Sequence, residues 1–228
     1  SGGDAYSSWY TSQKPTLFSF TWRHFQDTTP RHHRALAASD ENYKQEWIET
    51  CRSMVELLDG HPSVGFWTLF NEGWGQFDAQ AAVEAVRELD ATRPIDATSG
   101  WYDQSCGDFI SIHNYFRPLR AGWRDIRKAR ANHRREGAKQ RAVIISEFGG
   151  LAQMVPEHTS LDHAYGYGNF ATANDWCAAV KQELAKAESL QAEGLAGYIY
   201  TQLSDVEEEV NGLLTYDRKV NKLGRSTG

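Results

Sequence analysis

Cysteine is scarce in this chain: Cys51, Cys106 and Cys177 make an odd number with no paired spacing. That pattern excludes a disulfide framework and a cysteine-based zinc site. Long apolar runs are missing as well, and no stretch approaches the roughly 20 apolar residues of a membrane span. Positive charge is in deficit. With 24 Lys and Arg against 30 Asp and Glu, the formal charge of −6 gives no support to a nucleic-acid or anionic-membrane surface. The basic cluster of Arg124, Arg127, Lys128, Arg130, Arg134 and Arg135 reads as the wet face of a helix. Internal repeats and low-complexity tracts are absent. So is a starting Met: the chain opens Ser1-Gly2-Gly3-Asp4 with no visible signal peptide, as a piece of something longer would. The compartment stays open.

What is present is aromatic content, with eight Trp, ten Tyr and ten Phe in 228 residues, enough chain for a sizeable core. Apolar periodicity predicts a helix over 40–59, with Trp47, Ile48, Cys51, Val55 and Leu58 on one face. Ser39 or Asp40 caps its start, and Gly60 stands where a left-handed residue closes a helix. Further helices are expected over 78–90, 121–136 and 170–193, and strands over 64–70, 95–98, 109–113, 142–146 and 195–201. Strands separated by helices or long connections argue for an α/β fold with a parallel sheet. Residues 1–38 fit this scheme poorly and read as an irregular loop region with a short turn at Thr16–Trp22. The segment 148–169 is long for a connection, and loops of that length are often functional.

Two of the strands end on glutamates. Val64-Gly65-Phe66-Trp67-Thr68-Leu69-Phe70 is closed by Asn71-Glu72, and Ala142-Val143-Ile144-Ile145-Ser146 by Glu147-Phe148-Gly149-Gly150. In a parallel α/β fold both carboxylates emerge at the C-terminal edge of the sheet, where such folds place their chemistry. Two carboxylates facing one cavity are what glycosidic bond cleavage requires.

The motifs then accumulate in order. His61-Pro62-Ser63-Val64, Phe70-Asn71-Glu72-Gly73-Trp74-Gly75, Thr92-Arg93-Pro94, Ser99-Gly100-Trp101, Ile112-His113-Asn114-Tyr115 and Ser146-Glu147-Phe148-Gly149-Gly150 follow one another. Together they resemble glycoside hydrolase family 2, which contains β-galactosidases, β-glucuronidases and β-mannosidases. The resemblance implies a (β/α)8 TIM barrel with the strands 64–70, 95–98, 109–113, 142–146 and 195–201 as strands 4 to 8. The expectation is a single partial barrel domain over 1–228, lacking strands 1 to 3, with β/α units over 39–222 and a tail over 223–228.

The resemblance also implies a two-step retaining mechanism, with Glu147 as nucleophile and Glu72 as acid and then base, about 5–5.5 Å apart. Asn71 resembles the residue that hydrogen-bonds the sugar 2-hydroxyl. Tyr115 is placed to bond the nucleophile, and His113 to line the sugar pocket. Trp74 and Trp101 are either sugar-stacking platforms or core aromatics. Many relatives carry a Trp at the end of strand 8, where the alignment here puts Thr201. The acidic stretch Val206-Glu207-Glu208-Glu209-Val210 follows, in which Glu207 either contacts substrate or is simply solvated. His32-His33, with no third ligand in view, reads as a solvated loop, so neither a metal nor a cofactor is expected. Carbohydrate substrate is the expected partner. The rival reading is a non-catalytic barrel fragment that exposes two sheet edges, self-associates through them and binds sugar without turnover.

Overall fold

In a computed structural model of the chain, described over residues 27–29, 39–72, 75–100, 102–115, 119, 141–163 and 165–224, Asp40 opens the first helix. Its carboxylate accepts from the backbone N–H groups of Asn42 at 2.9 Å and Tyr43 at 3.4 Å, satisfying donors that the first turn leaves unpaired. This helix, α1, spans Glu41–Leu58. Gly60 is not left-handed, contrary to the sequence reading. The helix is closed instead by tightening, with Asp59 N–H bonding to Val55 O at 2.8 Å and His61 N–H to Leu58 O at 3.0 Å.

The chain divides into two compact units, Ser1–Ile112 with Asn132–Ala142, and His113–Ala131 with Val143–Gly228. In the first, β1 (Trp67–Asn71) is followed by α2 (Ala79–Leu89), and β2 (Ile95–Ser99) pairs parallel to β1 from Trp67↔Ile95 to Asn71↔Ser99. One face of α1 supplies buried Cys51 and Val55, and α2 supplies Val83 and Val86. Trp47 of α1 stacks on Phe70 of β1 at 4.5 Å, and Phe77 meets both rings edge-on at 5.3 Å. Asp78, the residue before α2, makes no side-chain cap. Asp27 does so from far away in sequence, accepting from Ala79 N–H at 2.9 Å while itself buried.

β1 starts at Trp67 rather than Val64, and the reason is Arg93. Its guanidinium donates to the carbonyls of Val64 at 2.8 Å, Asp59 at 2.5 Å and His61 at 3.3 Å, so the backbone of 59–64 is occupied by a side chain rather than by a strand. Arg93 also pairs with Asp90 at 2.7 Å and lies over the Trp67 ring at 5.7 Å. The His61-Pro62-Ser63 and Thr92-Arg93-Pro94 motifs therefore build a clamp at the N-terminal end of β1.

β3 (Phe109–Asn114) leads the chain out of the first unit. In the second unit, β4 (Ala142–Gly149) pairs parallel to β7 (Gly197–Thr201). The segment expected to be a long loop contains a small parallel pair, β5 (Leu151–Ala152) with β6 (Gly168–Asn169). Helix α3 (Ala173–Ser189), capped by the Thr172 hydroxyl accepting from Asp175 N–H at 3.1 Å, continues as a 3-10 turn over Leu190–Glu193. Its Trp176 is fully buried and donates Nε1–H to Leu151 O at 2.6 Å.

After β7 the chain folds back on itself around Lys222. This ammonium is wholly enclosed and donates to Asp205 Oδ1 at 2.7 Å and to the carbonyls of Gln153 and Val210 at 3.0 Å each. Three donors meet three acceptors, as a buried ammonium requires. Burial pushes the Asp205 carboxyl up and the Lys222 ammonium down, each only partly offset by the other's charge.

Of the strands found, β1, β2, β3, β4 and β7 overlap the ranges expected from sequence, β5 and β6 do not, and every pairing named above is parallel. Among the described residues no helix is long and apolar enough to cross a membrane. The expected helix over 121–136, the Thr16–Trp22 turn, His32 and His33 lie outside the described residues.

Candidate functional site

Glu72 follows β1 directly, and its backbone is the first thing to note. It takes φ +54°, a left-handed conformation that costs an L-residue about 1–2 kcal/mol. Its N–H donates to Ser99 O at 2.7 Å, extending the β1–β2 pairing by one residue before the chain breaks away. Asp78, at φ +41°, is also left-handed, so the chain turns sharply between the strand and α2. Side chains held on strained backbone cluster at functional sites. Asn71 is exposed at the end of β1 and Glu72 half-buried, while Trp74 and Trp101 lie outside the described residues.

The chemistry around Glu147 is organised by side chains. Glu147 does not end its strand, as the sequence suggested, but lies inside β4 two residues before its end. The pairing with β7 shifts between Ile145 and Phe148: three steps along β4 match two along β7, from Tyr198 to Tyr200. One extra residue is thus inserted around Ser146 and Glu147, a β-bulge, and bulges re-aim side chains. The carboxylate is 28% exposed. Tyr115 Oη donates to Glu147 Oε2 at 2.5 Å, and His113 Nδ1 lies 3.4 Å from the same oxygen with its side chain enclosed. Burial, then the Glu147 charge, pushes the Tyr115 phenol well above its ordinary range, so this hydroxyl remains a donor. Tyr115 Oη is also 3.3 Å from Thr201 Oγ1.

Gly149 and Gly150 follow with φ +99° and +60°, and each is needed for space as well as conformation. A Cβ on Gly149 would come within 2.3 Å of the Tyr200 ring, and one on Gly150 within 2.7 Å of Tyr167. The two glycines therefore let aromatic rings close over the backbone next to Glu147.

Beyond β7, the peptide bond Thr201–Gln202 is cis. Gln202 Nε2 donates to Asn211 Oδ1 at 2.7 Å and Glu209 Oε2 at 3.2 Å, and Asn211 Nδ2 donates to Glu209 at 3.1 Å. Glu207, the acidic residue singled out in sequence, is exposed at φ +47° in a tight turn closed by reciprocal bonds between Val206 and Glu209. Glu209 enters the polar network instead. In a run of three glutamates only the turn geometry decides which one is drawn in.

The three cysteines are free. Cys106 is buried, and desolvation, then the charges of Asp27 and Asp103, pushes its thiol up to about 12, which removes it as a nucleophile near neutrality.

With this geometry in view, the comparisons with known proteins are direct. The sequence model of "Glycosyl hydrolases family 2, TIM barrel domain" matches residues 9–223. A beta-galactosidase of Priestia megaterium (strain DSM 319 / IMG 1521) is 33% identical over 75 residues, covering 33% of this chain and 7% of that protein. Among solved structures, the GH2 beta-galacturonidase from Eisenbergiella tayi bound to galacturonate matches with a TM-score of 0.53 at 16% identity, over 87% of this chain and 38% of that one. The Parabacteroides merdae beta-glucuronidase matches with a TM-score of 0.51 at 16% identity, over 81% of this chain and 26% of that one. At such identities the structural likeness concerns the fold alone, and the chain spans well under half the length of each of these relatives. The family match covers nearly the whole sequence, and on that ground this chain belongs to family 2 of the glycosyl hydrolases, its residues 9–223 matching the family's TIM barrel domain.

Proposed function

We propose that this chain hydrolyses O-glycosidic bonds of β-linked glycosides by retaining double displacement, with Glu147 as nucleophile and Glu72 as acid and base. The observation that carries the reading is the Tyr115 hydroxyl on Glu147 at 2.5 Å. A phenol donating to a partly exposed carboxylate holds one oxygen in place and leaves the other to attack an anomeric carbon. In the first step a Glu147 oxygen bonds to that carbon as the glycosidic C–O bond breaks, and the departing oxygen takes the Glu72 proton. In the second, Glu72 removes a proton from water, whose oxygen displaces Glu147 and restores the anomeric configuration. Asn71 contacts the sugar 2-hydroxyl and His113 lines the pocket, with Trp74 and Trp101 as stacking surfaces.

In this reading β1, β2, β3, β4 and β7 are strands 4 to 8 of the barrel, and 1–228 is one partial catalytic domain. The test is chemical. A 2-deoxy-2-fluoro-β-glycoside with a good leaving group should trap a covalent adduct on the chain, and peptide mass spectrometry should find it on Glu147. Turnover of a panel of 4-nitrophenyl β-glycosides by the wild type, with first-formed product of retained anomeric configuration by NMR, completes the case. Inverted product, or full turnover by Glu147→Gln, sinks it.

A second reading has its own observation. Ile199 on β7 is 41% exposed, with Leu203 and Val206 beyond it also open to solvent. Apolar residues exposed along a strand invite strand-to-strand pairing. Under this reading the chain associates with itself through barrel edges and binds carbohydrate without turnover. Sedimentation showing a stable oligomer, together with no turnover across the panel, would favour it.

A further inference from the structure

The tyrosine that meets Glu147 has a support of its own. The Tyr115 ring stacks on Tyr167 with centroids 4.1 Å apart and planes 8° from parallel. Tyr167 is fixed through its backbone: its N–H donates to Gly150 O at 2.9 Å, and the next two residues, Gly168–Asn169, pair with Leu151–Ala152. Phe170 N–H continues the pairing to Ala152 O at 3.0 Å. On the other side, Tyr165 N–H donates to Glu208 O at 3.0 Å, and the Tyr165 ring meets Tyr167 edge-on at 6.2 Å. A Cβ on Gly150 would press on Tyr167 at 2.7 Å and on Tyr115 at 3.2 Å, so both rings rest on one bare stretch of backbone. Residues 165–169 form a strap laid over the segment that follows Glu147. Tyr167 is nevertheless 53% exposed, more than a ring placed for core burial requires.

We propose that Tyr167 is a positioning residue: it holds the Tyr115 ring in the plane from which the phenol reaches Glu147. The inference rests on the reading of Glu147 as nucleophile. Rotation about the Tyr115 Cα–Cβ bond swings its hydroxyl off the carboxylate, and rotation about Cβ–Cγ leaves the oxygen in place but turns the ring plane in which a phenol O–H prefers to lie. A flat partner at stacking distance removes that freedom, and reacting groups are sensitive to displacements of about 1 Å.

The experiment compares full-chain Tyr167→Ala, Tyr167→Leu, Tyr167→Phe, Tyr115→Phe and the double variant Tyr115→Phe/Tyr167→Ala on a 4-nitrophenyl β-glycoside. Leucine fills the space without a flat face, and phenylalanine keeps the face without the hydroxyl. Expected are kcat losses on the order of ten-fold for alanine and leucine with KM within about two-fold, and recovery with phenylalanine. The double variant should be no slower than Tyr115→Phe, because Tyr167 acts through Tyr115. The acid limb of the pH profile should move upward in Tyr167→Ala, since a carboxylate that loses a donor is protonated more readily. Losses that multiply in the double variant, or a change confined to KM, overturn the proposal. A readout independent of turnover separates this inference from the glycosidase reading. With 13C at the tyrosine Cζ, the Tyr115 resonance (assigned by its loss in Tyr115→Phe) should shift in Tyr167→Leu and not in Tyr167→Phe. An unchanged resonance overturns the proposal whatever the activity. A shifted resonance without any turnover leaves the ring-to-ring support standing and rejects the glycosidase reading.

Discussion

The two glutamates are held in opposite ways. Glu72 is presented by its backbone, a left-handed residue just past β1 whose strand is clamped at the far end by Arg93. Glu147 lies on extended backbone, and what fixes it is a bulge and a side-chain partner, Tyr115. A group presented by the main chain keeps its place when neighbours change. One steered by a hydrogen bond is tuned, in charge as well as direction, by whatever holds the donor. In the proposed mechanism, the second arrangement suits a carboxylate that attacks and then leaves, and the first one that gives and takes a proton.

The largest effect that sharpens this contrast is on turnover. Glu147→Gln should lower kcat by about 10⁴-fold or more, as loss of a nucleophile does. Glu72→Gln should lose about 10²–10⁴-fold, as loss of a general acid–base does, and less on substrates with activated leaving groups. Initial-rate kinetics on two aryl β-glycosides of different leaving-group pKa, 4-nitrophenyl and phenyl, check both. Equal losses on both substrates for Glu72→Gln would count against its proton-transfer role.

Next comes stability behind Glu147. Lys222→Ala leaves the Asp205 charge enclosed and two carbonyls without their donor, and should destabilise by about 3–5 kcal/mol. Urea unfolding measures it, and a loss under about 1 kcal/mol would mean the loop after β7 relaxes freely.

The acid dependence belongs to the other region. Asp90 accepts from the Thr92 hydroxyl at 2.6 Å, from Arg93 at 2.7 Å and from Trp67 Nε1 at 2.9 Å, which together hold its carboxyl well below the usual range. A depressed folded-state pKa contributes stability that is present above the unfolded value of about 3.9 and lost as pH falls below it. Asp90→Asn should therefore be less stable at pH 7, with a smaller fall in urea midpoint between pH 5 and pH 3 than the wild type. An unchanged fall would place the acid sensitivity elsewhere.

The smallest effect is the most telling for the comparison. Glu72→Gly should abolish acid–base function while raising stability by about 1 kcal/mol, because glycine takes a left-handed φ without penalty. Glu147→Gly, on extended backbone, should gain nothing. Thermal unfolding of the two variants side by side is the check.

Much of the architecture was legible from residue order alone, and the exceptions have physical causes. Sequence finds β2 and β7 because each is a run of five residues, the first wholly buried and the second largely half-buried, bounded by helices or turns. It cannot find β5 and β6, two residues each, which exist only because they face each other. The bulge at Glu147 is a relation between two strands, so no reading of β4 by itself contains it. The Asn71-Glu72 and Glu147-Phe148 contexts stood out only through their motif neighbours, and the structure places both pairs at or near the C-terminal ends of β1 and β4. Asp27 went unnoticed since its partner, Ala79, is far along the chain. Sequence does not say which glutamate a turn throws outward, and here Glu207 is exposed while Glu209 bonds to Gln202 and Asn211.

The packing of rings on Gly149 and Gly150 sets a limit on how this scaffold can be diversified. A saturation library at either position should return almost only glycine, since every other residue drives an atom into Tyr200 or into the Tyr115–Tyr167 pair. Variation must then enter elsewhere, at solvent-facing positions such as Leu203 and Val206. The segment beside Glu147 is, in that sense, a fixed frame, and the loop after β7 the part of the molecule with room to drift.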